Sequence, residues 1–114
     1  MNFSDDIVRN FWREYHLASN KFAYKQLLLN AKLSFIELME NLEGEEFLTT
    51  YDHSPLLAMI SEVQRVCPEA VEELANQENF FATAQEILSN YTEEKRDLLR
   101  DTFLKKPNTL FRFK

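Results

Sequence analysis

The sequence is poor in the residues that form tight turns, disulfides and metal sites. Its 114 residues include one glycine, three prolines, one cysteine and two histidines. Sheets with many strands need glycine and proline at most of their turns, so an all-β fold is excluded. A single glycine also excludes the glycine-rich phosphate loops of dinucleotide-binding proteins and P-loop enzymes.

The scarcity of cysteine and histidine excludes a second group of functions. Cys67 has no partner for an intrachain disulfide, and His16 and His53 lack the spacing of a zinc-binding helix. Asp52, His53 and Ser54 are adjacent in the sequence, whereas the members of a catalytic triad converge from separate positions. We therefore expect no catalytic residues, no metal site and no cofactor.

Long apolar runs are also absent. The longest stretch without a formal charge extends from His53 to Ser61, far short of the roughly 20 residues of a membrane-spanning helix. Charged residues such as Asp5, Asp6 and Arg9 interrupt the beginning of the chain, which does not fit a signal peptide. With one free thiol, the sequence predicts a cytoplasmic protein without a membrane segment.

Apolar residues recur with helical spacing along most of the chain. Hydrophobic residues make up 45% of the sequence, which is enough for one domain over residues 1–114. Ser19 or Asn20, and later Thr92, are typical N-caps at the start of apolar periodic segments. These features predict an all-α fold, a compact helical bundle of five or six helices.

Proline and glycine indicate where the predicted helices begin and end. Pro55 and Pro68 are expected at the first positions of two helices, with Ser54 as the N-cap of the first. Gly44 predicts a left-handed end to the second helix of the chain. The pattern in residues 45–53 is short and irregular, with room for one helical turn around Phe47, Leu48 and Tyr51, and we interpret this segment as a connector.

The C-terminal segment changes from helical to alternating spacing. Residues 107–114 place Phe111 and Phe113 on one side of an extended chain, which predicts a short non-helical tail. This tail either lies across the bundle with both rings buried or binds a partner. Aromatic residues make up 13% of the sequence, and Phe80 and Phe81 point to different faces of a helix. Such a surplus predicts exposed aromatics at an interface.

Charge is distributed unevenly and is the most informative feature of the chain. The net charge is −6, yet residues 1–32 carry +2, residues 33–94 carry −13 and residues 95–114 carry +5. The middle segment has Arg65 as its single cation, so pairs within its own helices cannot neutralise it. Its acids must face solvent, the basic ends of the same chain, or a basic partner.

Glutamates of this middle segment are the candidate partner-binding residues, together with two phenylalanines of the tail. A face of glutamates would attract a basic protein surface and bind it in a salt-dependent way. The complete set is Glu37, Glu40, Glu43, Glu45, Glu46, Glu69, Glu72, Glu73, Phe111 and Phe113. We expect a non-catalytic protein-binding domain, in its most concrete form an acidic inhibitor or immunity-type protein that neutralises a basic enzyme.

Three other functions explain less of the sequence. A small homodimeric chaperone or adaptor would account for the aromatic residues. A regulator associated with nucleic acid would use the basic residues 95–114, although a pI near 4.9 disfavours phosphate backbones as partners. A metal-dependent phosphohydrolase would use glutamates spaced three apart, but the four such pairs present barely exceed the chance expectation of about three.

Overall fold

The structure is a computed structural model that describes residues 3–40 and 42–104. Every regular element in these residues is an α-helix, which confirms the all-α prediction. None of the described helices is both long enough and apolar enough to cross a lipid bilayer. The helices are α1 (Phe3–Leu17), α2 (Lys21–Leu38), α3 (Gly44–Thr50), α4 (Ser54–Val66), α5 (Pro68–Gln77), α6 (Asn79–Ser89) and α7 (Glu93–Phe103). The predicted tail at 107–114, with Phe111 and Phe113, lies outside the described residues.

The prediction of five or six helices is slightly wrong, because the described residues contain seven. The segment that we interpreted as a connector contains all of α3 except Gly44. This helix has only 7 residues, too few to be stable alone, and it buries Phe47 and Leu48 against α6 and α2. Phe47, Leu48 and Tyr51 give helical spacing over one turn only, so tertiary packing rather than a local pattern determines this helix.

Two of the predicted N-caps are confirmed by their hydrogen bonds. The side-chain oxygen of Asn20 accepts the backbone N–H of Ala23 at 2.9 Å. The hydroxyl oxygen of Thr92 accepts the backbone N–H of Lys95 at 3.1 Å. Each bond satisfies one of the N–H groups that a helix leaves without a partner in its first turn.

The proline signals are confirmed as well, with one change at α4. Pro55 and Pro68 lie in the first turns of α4 and α5, where a missing N–H costs no helical hydrogen bond. Ser54 is not the N-cap of α4, because the helix already includes it and His53 holds the cap position. The carboxylate of Asp52 accepts the backbone N–H of Ser54 at 3.1 Å.

The prediction that Gly44 ends the second helix is wrong. Helix α2 ends at Leu38, and the left-handed conformation belongs to Glu40, whose φ is 48°. Gly44 instead begins α3, where a Cβ atom would lie 3.1 Å from Cδ1 of Phe80. Its missing side chain therefore allows α3 to approach α6 closely.

Replacing Glu40 with glycine is expected to stabilise the fold. A left-handed residue with a Cβ atom costs about 1–2 kcal/mol, and glycine relieves this strain at an entropic cost of about 0.5–1 kcal/mol. For Glu40→Gly we expect the free energy of unfolding, measured by urea denaturation, to rise by about 0.5 kcal/mol. The control Glu37→Gly changes a residue within helix α2. Its free energy of unfolding should fall by up to about 1 kcal/mol. Similar losses in both variants would contradict the prediction.

Helix α4 lies at the centre of the domain. It packs against α1, α2, α5 and α6, and most extensively against α7. All residues from Leu56 to Val63 are buried, and all of these are apolar except Ser61 and Glu62. A helix covered on all sides must satisfy its polar side chains inside the protein. Partners from α1, α4 and α7 do this for Ser61 and Glu62.

Both phenylalanines at the start of α6 are buried, so they are not the exposed aromatics of an interface. Helix α6 packs against α5 and also against α3. These two contacts together cover the different faces of α6 that carry Phe80 and Phe81. The ammonium nitrogen of Lys32 lies 5.2 Å from the ring centre of Phe80 and 5.9 Å from that of Phe81. Through these cation–π contacts, the Lys32 side chain shields the two rings from solvent on the side of α2.

Candidate functional site

Five candidate glutamates lie together where α2 ends and α3 begins. We call this surface the acidic corner, and its residues are Glu37, Glu40, Glu43, Glu45 and Glu46. All five are exposed. None of the five forms an ion pair with any residue that the structure describes. The corner therefore presents five negative charges that the described part of the chain does not neutralise.

The other three candidate glutamates lie on α5. Glu73 forms ion pairs with Lys21 and Lys25 of α2, the second at 3.1 Å. The hydrogen bonds from these two lysines hold the pKa of Glu73 below its ordinary value. Glu69 and Glu72 are exposed. Of the three, Glu73 is thus neutralised within its own chain.

The structure divides the eight glutamates into two groups. Lys25 of α2 binds Glu73 within α5, whereas Lys32, further along α2, binds Glu78 just after α5. Helices α2 and α5 therefore run in the same direction. Between Lys25 and Glu37 the helix rises about 18 Å. The glutamates of α5 consequently lie towards the opposite end of α2 from the acidic corner.

Two exposed apolar side chains lie on, or directly after, the two helices that meet at the acidic corner. Leu33 precedes Glu37 by four residues, so the two share a face of α2, and Leu33 is 57% exposed. Tyr51 immediately follows α3 and is 47% exposed. Protein interfaces commonly combine an aromatic or aliphatic anchor with a polar rim. The acidic corner supplies the polar component, and Leu33 on α2 and Tyr51 directly after α3 supply the apolar one.

A second polar site surrounds Glu62, which is only 5% exposed. The hydroxyl of Tyr15 donates a hydrogen bond to Oε2 of Glu62 at 2.7 Å. Arg65 donates from Nε and Nη2 to the two carboxylate oxygens, at 3.2 and 2.7 Å. Arg100 places Nε at 3.8 Å from the same carboxylate and donates from Nη1 to the hydroxyl of Ser61 at 2.7 Å. We call these five residues the Glu62 cluster, and it connects α1, α4 and α7.

The Glu62 cluster keeps its carboxylate charged and its phenol neutral. Burial alone would raise the pKa of Glu62, but hydrogen bonds from Arg65 and Tyr15 and the charges of Arg65 and Arg100 outweigh it. The pKa of Glu62 therefore lies below its ordinary value. Burial, assisted by the bond to Glu62, raises the pKa of Tyr15, so its hydroxyl keeps the proton that it donates.

Acidification should remove the stability that Glu62 contributes. Because its pKa is lower in the folded than in the unfolded state, this contribution is complete above the unfolded value of about 4.5 and disappears as pH falls through the folded value. We expect Glu62→Gln to make the free energy of unfolding less dependent on pH below about 4.5. Urea denaturation at a series of pH values measures this. Glu73, whose pKa is also lowered, is present in both the wild type and Glu62→Gln, so its contribution cancels when the two pH curves are compared. Parallel pH curves would contradict the prediction.

Two grooves share Arg65 and Arg100 as a common wall. The first lies between α4, α6 and α7, has a volume of about 460 Å³ and is also lined by Arg96. We call it the arginine groove. The second has a volume of about 430 Å³ and is also lined by Glu62 and Asp97. We call it the acidic groove.

The residues that resembled a catalytic group in the sequence contribute to the connection between α3 and α4. Asp52 caps the backbone of Ser54. Nδ1 of His53 lies 2.9 Å from the carbonyl oxygen of Tyr51. Across residues 3–40 and 42–104, no three histidine, cysteine or acidic side chains are grouped as metal ligands.

Sequence reasoning missed the Glu62 cluster. A signal was present, because Glu62 ends the longest uncharged stretch of the chain and therefore places a charge on an otherwise apolar helix. Arg65 is only three residues from Glu62. The partners on other helices gave no signal, since Tyr15 is 47 positions from Glu62 and Arg100 is 39 positions from Ser61.

Comparison of the chain with protein-family models, with curated proteins and with solved structures finds no match in any of the three. The arrangement of its own side chains is therefore the basis for inferring a function.

Proposed function

We propose that this domain binds a basic surface of another protein through the acidic corner, as an acidic inhibitor or immunity-type protein that neutralises a basic enzyme. The contrast between two kinds of glutamate supports the proposal. Three glutamates of the acidic middle segment pair with cations of the same chain, namely Glu62, Glu73 and Glu78. The five glutamates of the acidic corner pair with no cation in the described residues.

The acidic corner and the two apolar side chains would have different roles in binding. Five like charges within ten residues repel one another, and a basic partner would relieve this repulsion. The charges would also accelerate encounter with a basic surface and make association sensitive to salt. Leu33 and Tyr51 would supply the desolvated contacts from which most binding energy comes. The proposal thus combines electrostatic attraction with a small apolar anchor.

Capture from a lysate with charge variants tests the proposal. The corner variant is Glu37→Gln, Glu40→Gln, Glu43→Gln, and the control is Glu14→Gln, Glu86→Gln, Asp101→Asn. Both remove three negative charges from exposed residues that form no ion pair in the described part of the chain.

We expect the wild type and the control to capture the same basic protein at low salt. The corner variant should recover about tenfold less of it. Its three lost charge pairs with the partner would together contribute at least about 1.4 kcal/mol of binding free energy, which corresponds to a tenfold change in affinity. Equal recovery by the corner variant and the control would refute the proposal.

A homodimeric chaperone or adaptor is the second candidate function. Leu17 and Phe22 are exposed by 74% and 68%, and both lie at the turn between α1 and α2. A dimer through these side chains would bury apolar surface that is costly to leave in water. Light scattering at two protein concentrations distinguishes this candidate, since Phe22→Ser would then convert a dimer into a monomer while the corner variant would not.

A further inference from the structure

The arginine groove has an unusual lining for a space between packed helices. Arg65 reaches it from α4, Ser89 from α6, and Arg96 and Arg100 from α7. Spaces between helices are normally closed by interlocking apolar side chains. Leu88 is the single apolar residue among the described residues that line this groove. Its lining suits a polar ligand.

The groove contains an arginine without a countercharge. Three arginines and Glu93 line it, and of the three arginines Arg96 forms no ion pair with any residue that the structure describes. The carboxylates that pair with Arg65 and Arg100 belong to Glu62 and Asp97, and both of these line the acidic groove instead. The countercharges of these two arginines thus lie on the side of the acidic groove, and Arg96 is the cation of the arginine groove that has no ion pair in the described residues.

Two of the arginines are held through only part of the guanidinium group. Arg65 uses Nε and Nη2 to bind Glu62. Arg96 uses Nη1 to bind the carbonyl oxygens of Leu88 and Tyr91 at 3.2 and 2.8 Å. In residues 3–40 and 42–104, no group accepts a hydrogen bond from Nη1 of Arg65 or Nη2 of Arg96. A side chain that is already fixed loses little entropy when it binds a ligand.

We propose that the arginine groove binds a phosphate group, carried by a small organic ester or free in solution. Guanidinium groups match the oxygens of phosphate with paired N–H bonds. Arg65 approaches from α4 and Arg96 from α7, and donors from two directions suit three tetrahedral oxygens better than the two coplanar oxygens of a carboxylate. The volume of about 460 Å³ lies within the range of small-molecule sites, roughly 300–1,000 Å³. The site is independent of the acidic corner on α2 and α3.

Titration of the full chain with three probes at constant ionic strength tests this site. The probes are adenosine monophosphate, inorganic phosphate and citrate, and the readout is the NMR shift of backbone amides and arginine Nε–H groups. We expect saturable shifts with a phosphate probe around Arg65, Arg96 and Arg100. Tighter binding of the monophosphate identifies an ester as the ligand, and tighter binding of inorganic phosphate identifies the free ion. Saturation with citrate alone, or no saturation with any probe, overturns the proposal.

Two variants separate a built site from general charge effects. Ser89→Glu adds a negative charge at the groove, and Ser19→Glu adds the same charge at an exposed residue before α2. Arg96→Lys keeps the positive charge but removes the paired donors. We expect Ser89→Glu and Arg96→Lys to weaken phosphate binding by about tenfold or more, as for the loss of a charged hydrogen bond. Ser19→Glu should bind like the wild type. Equal weakening by both glutamate variants, or unchanged binding by Arg96→Lys, overturns the proposal.

Discussion

Replacing Glu62 with alanine is expected to lower the free energy of unfolding by about 3–5 kcal/mol, because it leaves buried cationic and polar groups without their partner. The side chain of Arg100 is only 16% exposed and loses one of its two countercharges. The hydroxyl of Tyr15 loses the acceptor of its hydrogen bond. Urea denaturation near neutral pH measures the loss.

Two control variants show whether burial causes this loss. Arg65 pairs with the same carboxylate, but its side chain is 54% exposed, so solvent screens the charge that Arg65→Ala removes. We expect a clearly smaller loss for Arg65→Ala than for Glu62→Ala. Glu72→Ala changes an exposed glutamate and should stay within about 0.5 kcal/mol of the wild type. A loss below about 1 kcal/mol for Glu62→Ala would be no larger than the contribution of an exposed ion pair. It would contradict the stabilising role of the buried Glu62 cluster.

Replacing Phe47 with alanine is expected to cost about 3–5 kcal/mol, the usual range for deleting a buried phenylalanine side chain. Phe47 is fully buried, and its ring centre lies 6.3 Å from that of Phe35 on α2. Helix α3 is too short to persist without this anchor and Leu48. The substitution should therefore also loosen the two glutamates of the acidic corner that lie on α3, Glu45 and Glu46.

Hydrogen exchange separates the two consequences of Phe47→Ala. Amides of α3 should exchange faster relative to those of α4 than they do in the wild type, because local opening costs less once the anchor is gone. Tyr51→Ala is the matched control, since it removes an exposed aromatic next to the same helix. It should leave α3 protected and stability within about 0.5 kcal/mol of the wild type. Equal effects of the two substitutions would contradict the packing described for α3.

Local signals were sufficient to predict most helices. Asn20 and Thr92 cap their helices with side chains that act within three residues, and Pro55 and Pro68 favour a helix start by their own covalent geometry. Helix α3 gave a signal of one turn at most, around Phe47, Leu48 and Tyr51, since its extent depends on contacts with α2 and α6. Gly44 misled for the same reason. Its role is to accommodate Phe80, which is remote in the sequence.

The candidate site was predictable to a similar extent. The acidic corner is a cluster already in the sequence, because its five glutamates lie within residues 37–46. That Glu73 is neutralised by Lys21 and Lys25 depends on α5 lying parallel to α2, which no local pattern specifies. The arginine groove depends in the same way on α4, α6 and α7 meeting. Its arginines are separated by up to 35 residues in the sequence.

The affinity of the captured basic protein at two salt concentrations is the most direct measurement of what the acidic corner does. We expect the wild type and the control variant to bind it tightly at about 50 mM salt and much more weakly at about 500 mM, where charges are screened within a few ångströms. The corner variant should bind more weakly at low salt and change less between the two conditions. If the corner variant matches the wild type in affinity and in salt dependence, the acidic corner does not bind the partner.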